Sequence, residues 1–280
     1  MALQVETPDA TCGARVTGID LAAPLAPGAV QEIRAAWLRH RVVAFPAQRM
    51  DDDALERFTI AMGGFGEDPF FAAIPGRDHI AAILREANET TPLFAESWHS
   101  DWSFLGEPPA GTCLLAIDIP PTGGDTLFAD QIAAFAALPD DRKDHLRSLT
   151  AIHSAKHAYA PEGAYGERDK GRSMAIRPDE SARETRTHPL VTQHPETAEE
   201  AIFSTLGYIV GIERMEDEEA YAFLSELAKW QTQEQFVYRH RWEPDMLVMW
   251  DNRSVLHKAT GGYEGHRREL HRTTIAAYRG

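Results

Sequence analysis

Cysteine is nearly absent from this chain: only Cys12 and Cys113 occur, far apart and in no CxxC pair. That excludes a disulfide framework and a zinc-thiolate site. Positive charge is the second shortage, with 28 Lys and Arg against 43 Asp and Glu and a formal net charge of -15. Nucleic acid and anionic membrane surfaces both need a basic footprint, so neither is an expected partner. An anionic substrate would not be steered in by the global field and would need locally placed arginines. No apolar run approaches the roughly 20 residues of a membrane span. The opening MALQVETPDATCGARV has no basic stretch followed by an apolar core, so no secretory signal is expected and a reducing cytoplasm is the default. No internal repeat or low-complexity tract interrupts the sequence.

What is present is ordinary for a globular protein: 280 residues, 43% hydrophobic and 25% charged. A chain of this size buries roughly three quarters of its unfolded surface and needs no structural metal to fold. Any metal would therefore serve chemistry. Val30, Ile33, Trp37 and Leu38 at helical spacing predict a helix over 29–40, running into the strand Val42-Val43-Ala44-Phe45. A second helix is expected to open at Asp51 to Asp53, where acidic groups suit the positive end of the helix dipole, and to reach about Met62. Short strands follow at 114–119, 236–241, 246–250 and 274–278, with a helix over 133–138. The polar stretch 155–186 has no clear period and reads as a mobile lid or a disordered loop. Helices first and many short strands after them predict a mainly β fold, a barrel core with helical decoration, in a single domain spanning 1–280.

Chemistry enters with Ser97-Trp98-His99-Ser100-Asp101-Trp102. On a strand, residues two apart share a face, so His99 and Asp101 could reach one metal. Alone this pair is weak, since a surface histidine beside a solvated carboxylate looks the same. A third ligand is available in His257, after the strand-like run ending at Trp250 and the turn-like Asp251-Asn252. Two histidines and one carboxylate on one face of an octahedron leave three positions open, the arrangement of non-haem Fe(II) oxygenases. Arg268 and Arg272 follow, four apart in a stretch read as a strand, where they share a face. A guanidinium is the natural partner for a buried carboxylate, although Glu264, Arg267 and Glu269 keep open a reading as solvated charges.

Taken together, HSD at 99–101, PPTGGDTLFAD at 120–130, HPLVTQHPET at 188–197 and LVMWDNRSVLHKA with RRELHRTT resemble the taurine dioxygenase and 2,4-dichlorophenoxyacetate dioxygenase family. GARVTGIDL at 13–21 and RHRVVAFPAQ at 39–48 extend the resemblance over nearly the whole chain, least well over 155–186. The resemblance implies a double-stranded β-helix, or jelly-roll, core. It implies that His99, Asp101 and His257 bind Fe(II), that Thr126 and Arg268 hold the distal carboxylate of 2-oxoglutarate, and that Arg272 contacts an anionic group of the substrate. Trp250-Asp251-Asn252-Arg253 would be a framing motif. The implied reaction uses O2, releases succinate and CO2, and hydroxylates a small organic molecule. The presence of Asp101 argues for oxygenation over halogenation.

The resemblance breaks in the pocket. Taurine dioxygenase has an asparagine four residues before the first iron ligand, where this chain has Ala95. Phe70 and Phe71 are more apolar than taurine would need, so taurine is not the expected substrate. Arg272 with Phe70, Phe71, Trp102 and Phe104 suits a carboxylate or sulfonate on a larger, partly apolar body, unless those aromatics are core. Desaturation or epoxidation could end the same cofactor chemistry. From other classes, the triad could hold zinc for hydrolysis, or the barrel could bind without turnover. Among the remaining histidines only His271, beside Arg272, is a candidate lining residue. Cys113 reads as core filler. A homo-oligomer is what the resemblance implies.

Overall fold

The computed structural model describes residues 3–278. In chain order its strands begin with β1 (Gln4–Glu6), β2 (Ala14–Thr17), β3 (Val42–Phe45), β4 (Ala81–Arg85) and β5 (Gly111–Asp118). Next come β6 (Thr126–Asp130), β7 (Thr150–Ser154), β8 (Thr185–Pro189), β9 (Val191–Gln193) and β10 (Glu200–Ile202). The series closes with β11 (Ile209–Ile212), β12 (Val237–His240), β13 (Leu247–Asp251), β14 (Val255–Ala259) and β15 (Arg268–Ile275). Helices α1 (Pro27–His40), α2 (Asp52–Met62), α3 (Gln131–Ala136), α4 (Asp140–Arg147), α5 (Lys156–Tyr159) and α6 (Asp217–Gln231) are interspersed.

The larger sheet runs β1-β2-β3-β13-β5-β15-β4, and a three-stranded sheet runs β12-β6-β14. Period-two alternation along the central strands sorts the apolar side chains into two layers. Val43, Phe45, Cys113, Leu115, Leu247 and Met249 pack outward against Ile33 and Trp37 of α1 and Leu55, Phe58 and Met62 of α2. Val42, Ala44, Leu114, Val248 and Trp250 face the other way, onto Phe128 of β6 and Val255 of β14. Two facing sheets with helices on one outer face make the jelly-roll core that the resemblance implies. A third cluster joins α3 and α6 to β7, β9, β10 and β11.

The expected early elements form for the expected reasons. Pro27 supplies the fixed φ at the first turn of α1, and Asp51 caps α2 by accepting from Ala54 N at 2.8 Å. Gly111 at the start of β5 is required by close approach, since a Cβ there would meet the Trp250 carbonyl and the Trp37 ring, each at 2.6 Å. Three expectations need correction. The last strand is β15, so 276–278 lie outside it. Asp101 is not on a strand, because the chain turns from Asp101 through Leu105 with Trp102 at φ 51°. The 155–186 stretch is partly structured, with α5 and a 3-10 turn at Glu180–Arg183, and it buries Tyr159, Met174 and Ala182 against Phe70 and Phe71.

Trp250-Asp251-Asn252-Arg253 turns the chain from β13 into β14 and is knotted electrostatically. Buried Asp251 accepts from Arg253 Nη2 at 2.6 Å and Nε at 2.9 Å, and from His194 Nε2 at 2.9 Å. The ring of His194 is set as the Nε2–H tautomer, because its Nδ1 accepts from the backbone N–H groups of Glu196 and Thr197. Arg253 Nη1 reaches Glu196 at 2.9 Å, which also holds Arg34 of α1. Burial alone would raise the Asp251 carboxyl, but Arg253 and His194 more than reverse this and bring it to about 2. A carboxylate depressed in this way stabilises fully above its unfolded pKa of about 3.9 and loses that contribution as pH falls through the folded value. Asp251→Asn is therefore expected to cost about 2 kcal/mol at neutral pH. Its thermal midpoint should also fall less steeply than the wild type's between pH ~4 and ~2, a difference that paired melting curves would read. Equal acid slopes would contradict the assignment.

Candidate active site

One cavity between the two sheets is lined by His99, Asp101, His257, Thr126, Arg268 and Arg272 together. His257 sits mid-strand on β14, opposite Phe128 of β6. The segment before Asp101 is irregular except at His99, which forms an isolated antiparallel bridge with His257. Its two hydrogen bonds are His99 N–H to His257 O at 3.0 Å and His257 N–H to His99 O at 2.8 Å. The turn that begins at Asp101 then folds its carboxylate back. Asp101 Oδ1 ends 3.7 Å from Nε2 of both His99 and His257, and one ligand atom from each side chain lies within 4.8 Å of the others. The pair converges as expected, but by a turn and not by strand alternation.

Protonation fits a metal. His99 Nδ1–H donates to Ser97 O at 2.9 Å, which directs the Nε2 lone pair inward. Burial lowers the pKa of both imidazoles, His257 to about 3. For Asp101 burial opposes ionisation, yet Arg272, His257 and His99 hold the carboxyl at about 2. Two neutral imidazoles and one carboxylate are the states that bind a divalent ion. Asp101 Oδ2 points away from the histidines, accepting from Thr112 Oγ1 at 2.6 Å and lying 3.3 Å from Arg272 Nη2.

Both arginines lie on the inward face of β15 with Leu270 between them, as the four-residue spacing predicts. Their surroundings differ. Arg268 is 6% exposed, donates through Nη2 to the Gly124 carbonyl at 3.2 Å, and lies over the rings of Trp242 and Tyr263. Its Nε has no hydrogen-bond partner, and among the described residues no carboxylate lies within ion-pair distance. Burial pushes its pKa down. Gly124, at φ +69°, brings its backbone so close that a Cβ would sit 3.0 Å from Arg268 Nε. Thr126 Oγ1 lines the same end of the cavity and accepts from Trp242 Nε1 at 3.0 Å.

Arg272 is buried between the rings of Phe71 and Trp102, at 4.8 and 4.9 Å. It faces two carboxylates, Asp101 at 3.3 Å and Asp68 at 3.5 Å. Of the expected pocket aromatics, Phe71 lines the cavity. Phe70 stacks on Tyr159 and Trp102 is 1% exposed, so both lie one layer behind. Phe104 belongs to the same buried cluster. His271 points to the opposite face of β15, where Asp52 and Glu269 hold it, and does not line the site. Cys113 is core, its thiol pushed up to about 12 by burial.

Several residues around the site carried no sequence signal. Thr112 and Asp68 act through side-chain contacts between segments remote in sequence, and the framing-motif reading of Asn252 gave no hint of its bond to Thr112. Arg172, Glu89 and Met174 come to the cavity rim from the polar stretch and from the loop after β4.

Residues 4–274 match the family described as taurine catabolism dioxygenase TauD, TfdA family. The chain is 33% identical over 276 residues to the alpha-ketoglutarate-dependent 2,4-dichlorophenoxyacetate dioxygenase of Cupriavidus pinatubonensis, covering 93% of each. It is 29% identical to an alpha-ketoglutarate-dependent sulfate ester dioxygenase of Pseudomonas putida, over 94% of this chain and 86% of that one. Among solved structures it is similar to AAD-2 in complex with Mn(II) and N-oxalylglycine, with TM-score 0.80 and 27% identity over 100% of this chain and 99% of that one. The zinc-hydrolase reading gives way to oxygenase chemistry using Fe(II), 2-oxoglutarate and O2 on a small-molecule substrate. The chain belongs to the TauD/TfdA family of 2-oxoglutarate-dependent dioxygenases.

Proposed function

We propose that His99, Asp101 and His257 bind the Fe(II), that Arg268 and Thr126 hold the distal carboxylate of 2-oxoglutarate, and that the Arg272 end of the cavity receives an anionic substrate. The observation that carries this reading is Arg268: a buried guanidinium with an unpartnered Nε and, among the described residues, no carboxylate within ion-pair distance. Burying an unpaired charge is expensive, and a dicarboxylate co-substrate removes that cost. Thr126 suits the same task, because its oxygen already accepts from Trp242 and its hydroxyl proton is left to donate. Iron bound with 2-oxoglutarate and O2 supplies the oxidative decarboxylation to succinate and CO2 and the coupled hydroxylation. The rest of the chain orients and shields.

A carboxylate or sulfonate on a partly apolar body fits the opposite end. Phe71, Phe94 and Met174 give apolar wall beside Arg272, and the relatives named for 2,4-dichlorophenoxyacetate and sulfate esters act on anions of that kind. An arriving anion shares Arg272 with Asp101 and Asp68, so its affinity rests on the apolar body as much as on charge. The 155–186 stretch serves as a lid in this reading. Support comes from the backbone bridge of Ile176 to Phe71 and from Arg172 at the rim, which stacks on Phe94 and Tyr165. No helix among the described residues is long and apolar enough to cross a membrane. The two free, buried cysteines suit a cytoplasmic setting.

Removing a hydrogen-bonded charge from a buried carboxylate costs about 1.5–3 kcal/mol. Arg268→Ala should therefore raise the KM for 2-oxoglutarate roughly 10- to 100-fold in succinate-release assays, and an unchanged KM would refute its role. For the substrate, succinate release is measured over aryloxyalkanoates, alkyl sulfonates and matched neutral amides. Anions should trigger turnover in the wild type, and Arg272→Ala should lose that response. Equal triggering by the neutral compounds would sink the anion reading.

A further inference from the structure

The two oxygens of Asp101 are treated differently by the fold. Oδ1 faces Nε2 of His99 and of His257, 3.7 Å from each. Oδ2 is turned toward the larger sheet, where Thr112 Oγ1 donates to it at 2.6 Å and Arg272 Nη2 lies 3.3 Å away. Thr112 is fully buried at the start of β5, paired with Trp250 of β13 on one side and Thr274 of β15 on the other. Both neighbours fix its backbone.

The direction of its hydroxyl proton is also fixed. Asn252 Nδ2 donates to Thr112 Oγ1 at 3.0 Å, and an amide nitrogen can only donate. Thr112 must then spend its one proton on Asp101. Asn252 is itself held: its N–H donates to the Ala110 carbonyl at 3.0 Å, and its carbonyl accepts from Ser100 Oγ at 2.6 Å. That last bond ties the residue between His99 and Asp101 to the same turn.

We propose that Thr112, oriented by Asn252, is a positioning residue that confines Asp101 to presenting one oxygen toward a metal. A carboxylate free to rotate would spend part of its time turned away from the two histidines, whereas a ligand side chain held in place binds a metal more tightly. Confinement of Asp101 would thus preserve the affinity of the three side chains for a divalent ion. The inference rests on the reading of His99, Asp101 and His257 as metal ligands and concerns residues that do not touch the metal.

Metal affinity of the full chain tests it without turnover. Mn(II) binding is measured by anaerobic titration with electron paramagnetic resonance for the wild type, Thr112→Val, Thr112→Ser and His99→Ala, alongside melting of each metal-free protein. Loss of a residue that orients a ligand typically weakens metal binding about 10- to 100-fold, and that is the expected result for Thr112→Val with metal-free melting near wild type. Thr112→Ser keeps the hydroxyl and should bind as the wild type does. Wild-type affinity in Thr112→Val, or equal weakening in Thr112→Ser, overturns the proposal. Should Thr112→Val fail to fold, Asn252→Ala takes its place, with a smaller weakening supporting the proposal and unchanged affinity overturning it. His99→Ala separates the two levels: if it binds Mn(II) like the wild type, the ligand assignment itself fails.

Discussion

Two backbone hydrogen bonds between His99 and His257 hold the site together. One histidine belongs to a regular strand of the smaller sheet and the other to a segment with no ladder of its own. With the bond from Ala259 N–H to the Ala95 carbonyl at 2.8 Å, that bridge sets the height of His99 and Asp101 over β14. The bridge places the two rings 4.2 Å apart, and the turn starting at Asp101 brings in the carboxylate. The interior of the jelly roll then supplies what an exposed site could not. Burial lowers the pKa of both imidazoles, while Arg272 lowers that of Asp101 and Thr112 helps to aim its carboxylate.

Arg268 and Arg272 show how one strand face can hold two guanidinium groups in opposite surroundings. They share one face of β15 and are two repeats of the pleat apart, with Leu270 between them. Arg272 meets Asp101 and Asp68, so its charge is balanced inside the protein. Arg268 meets a carbonyl and two aromatic rings and, among the described residues, no carboxylate at ion-pair distance. A folded chain tolerates an unbalanced buried guanidinium poorly, and the missing counter-charge reads as the place of an acidic ligand.

Much of this was legible in the sequence, for physical reasons. The inward pairing of Arg268 and Arg272 follows from period two, the start of α2 from its acidic cap, and the burial of β3 and β13 from their unbroken apolar runs. His99, Asp101 and His257 were readable as residue types. Their geometry was not, because Asp101 lies in a turn with Trp102 at positive φ, a conformation its residue type disfavours. Helix α6 was missed although Ala220, Leu224 and Leu227 keep helical spacing after an acidic first turn. Its charged residues diluted the apolar signal. Asp68 and Thr112 were beyond reach, and for Asn252 only its place in the framing motif was readable, since each matters through a side-chain partner more than ten residues away and no local pattern encodes that.

The proposed roles of His99, Asp101 and His257 as iron ligands, in a cavity that takes 2-oxoglutarate, underlie every other role assigned in the site. Anaerobic titration of the metal-free chain with Fe(II) in the presence of saturating 2-oxoglutarate tests them most directly. A visible metal-to-ligand charge-transfer band should grow to saturation at one Fe(II) per chain and be absent with Zn(II). A chain fully loaded with Fe(II) that develops no such band would contradict them.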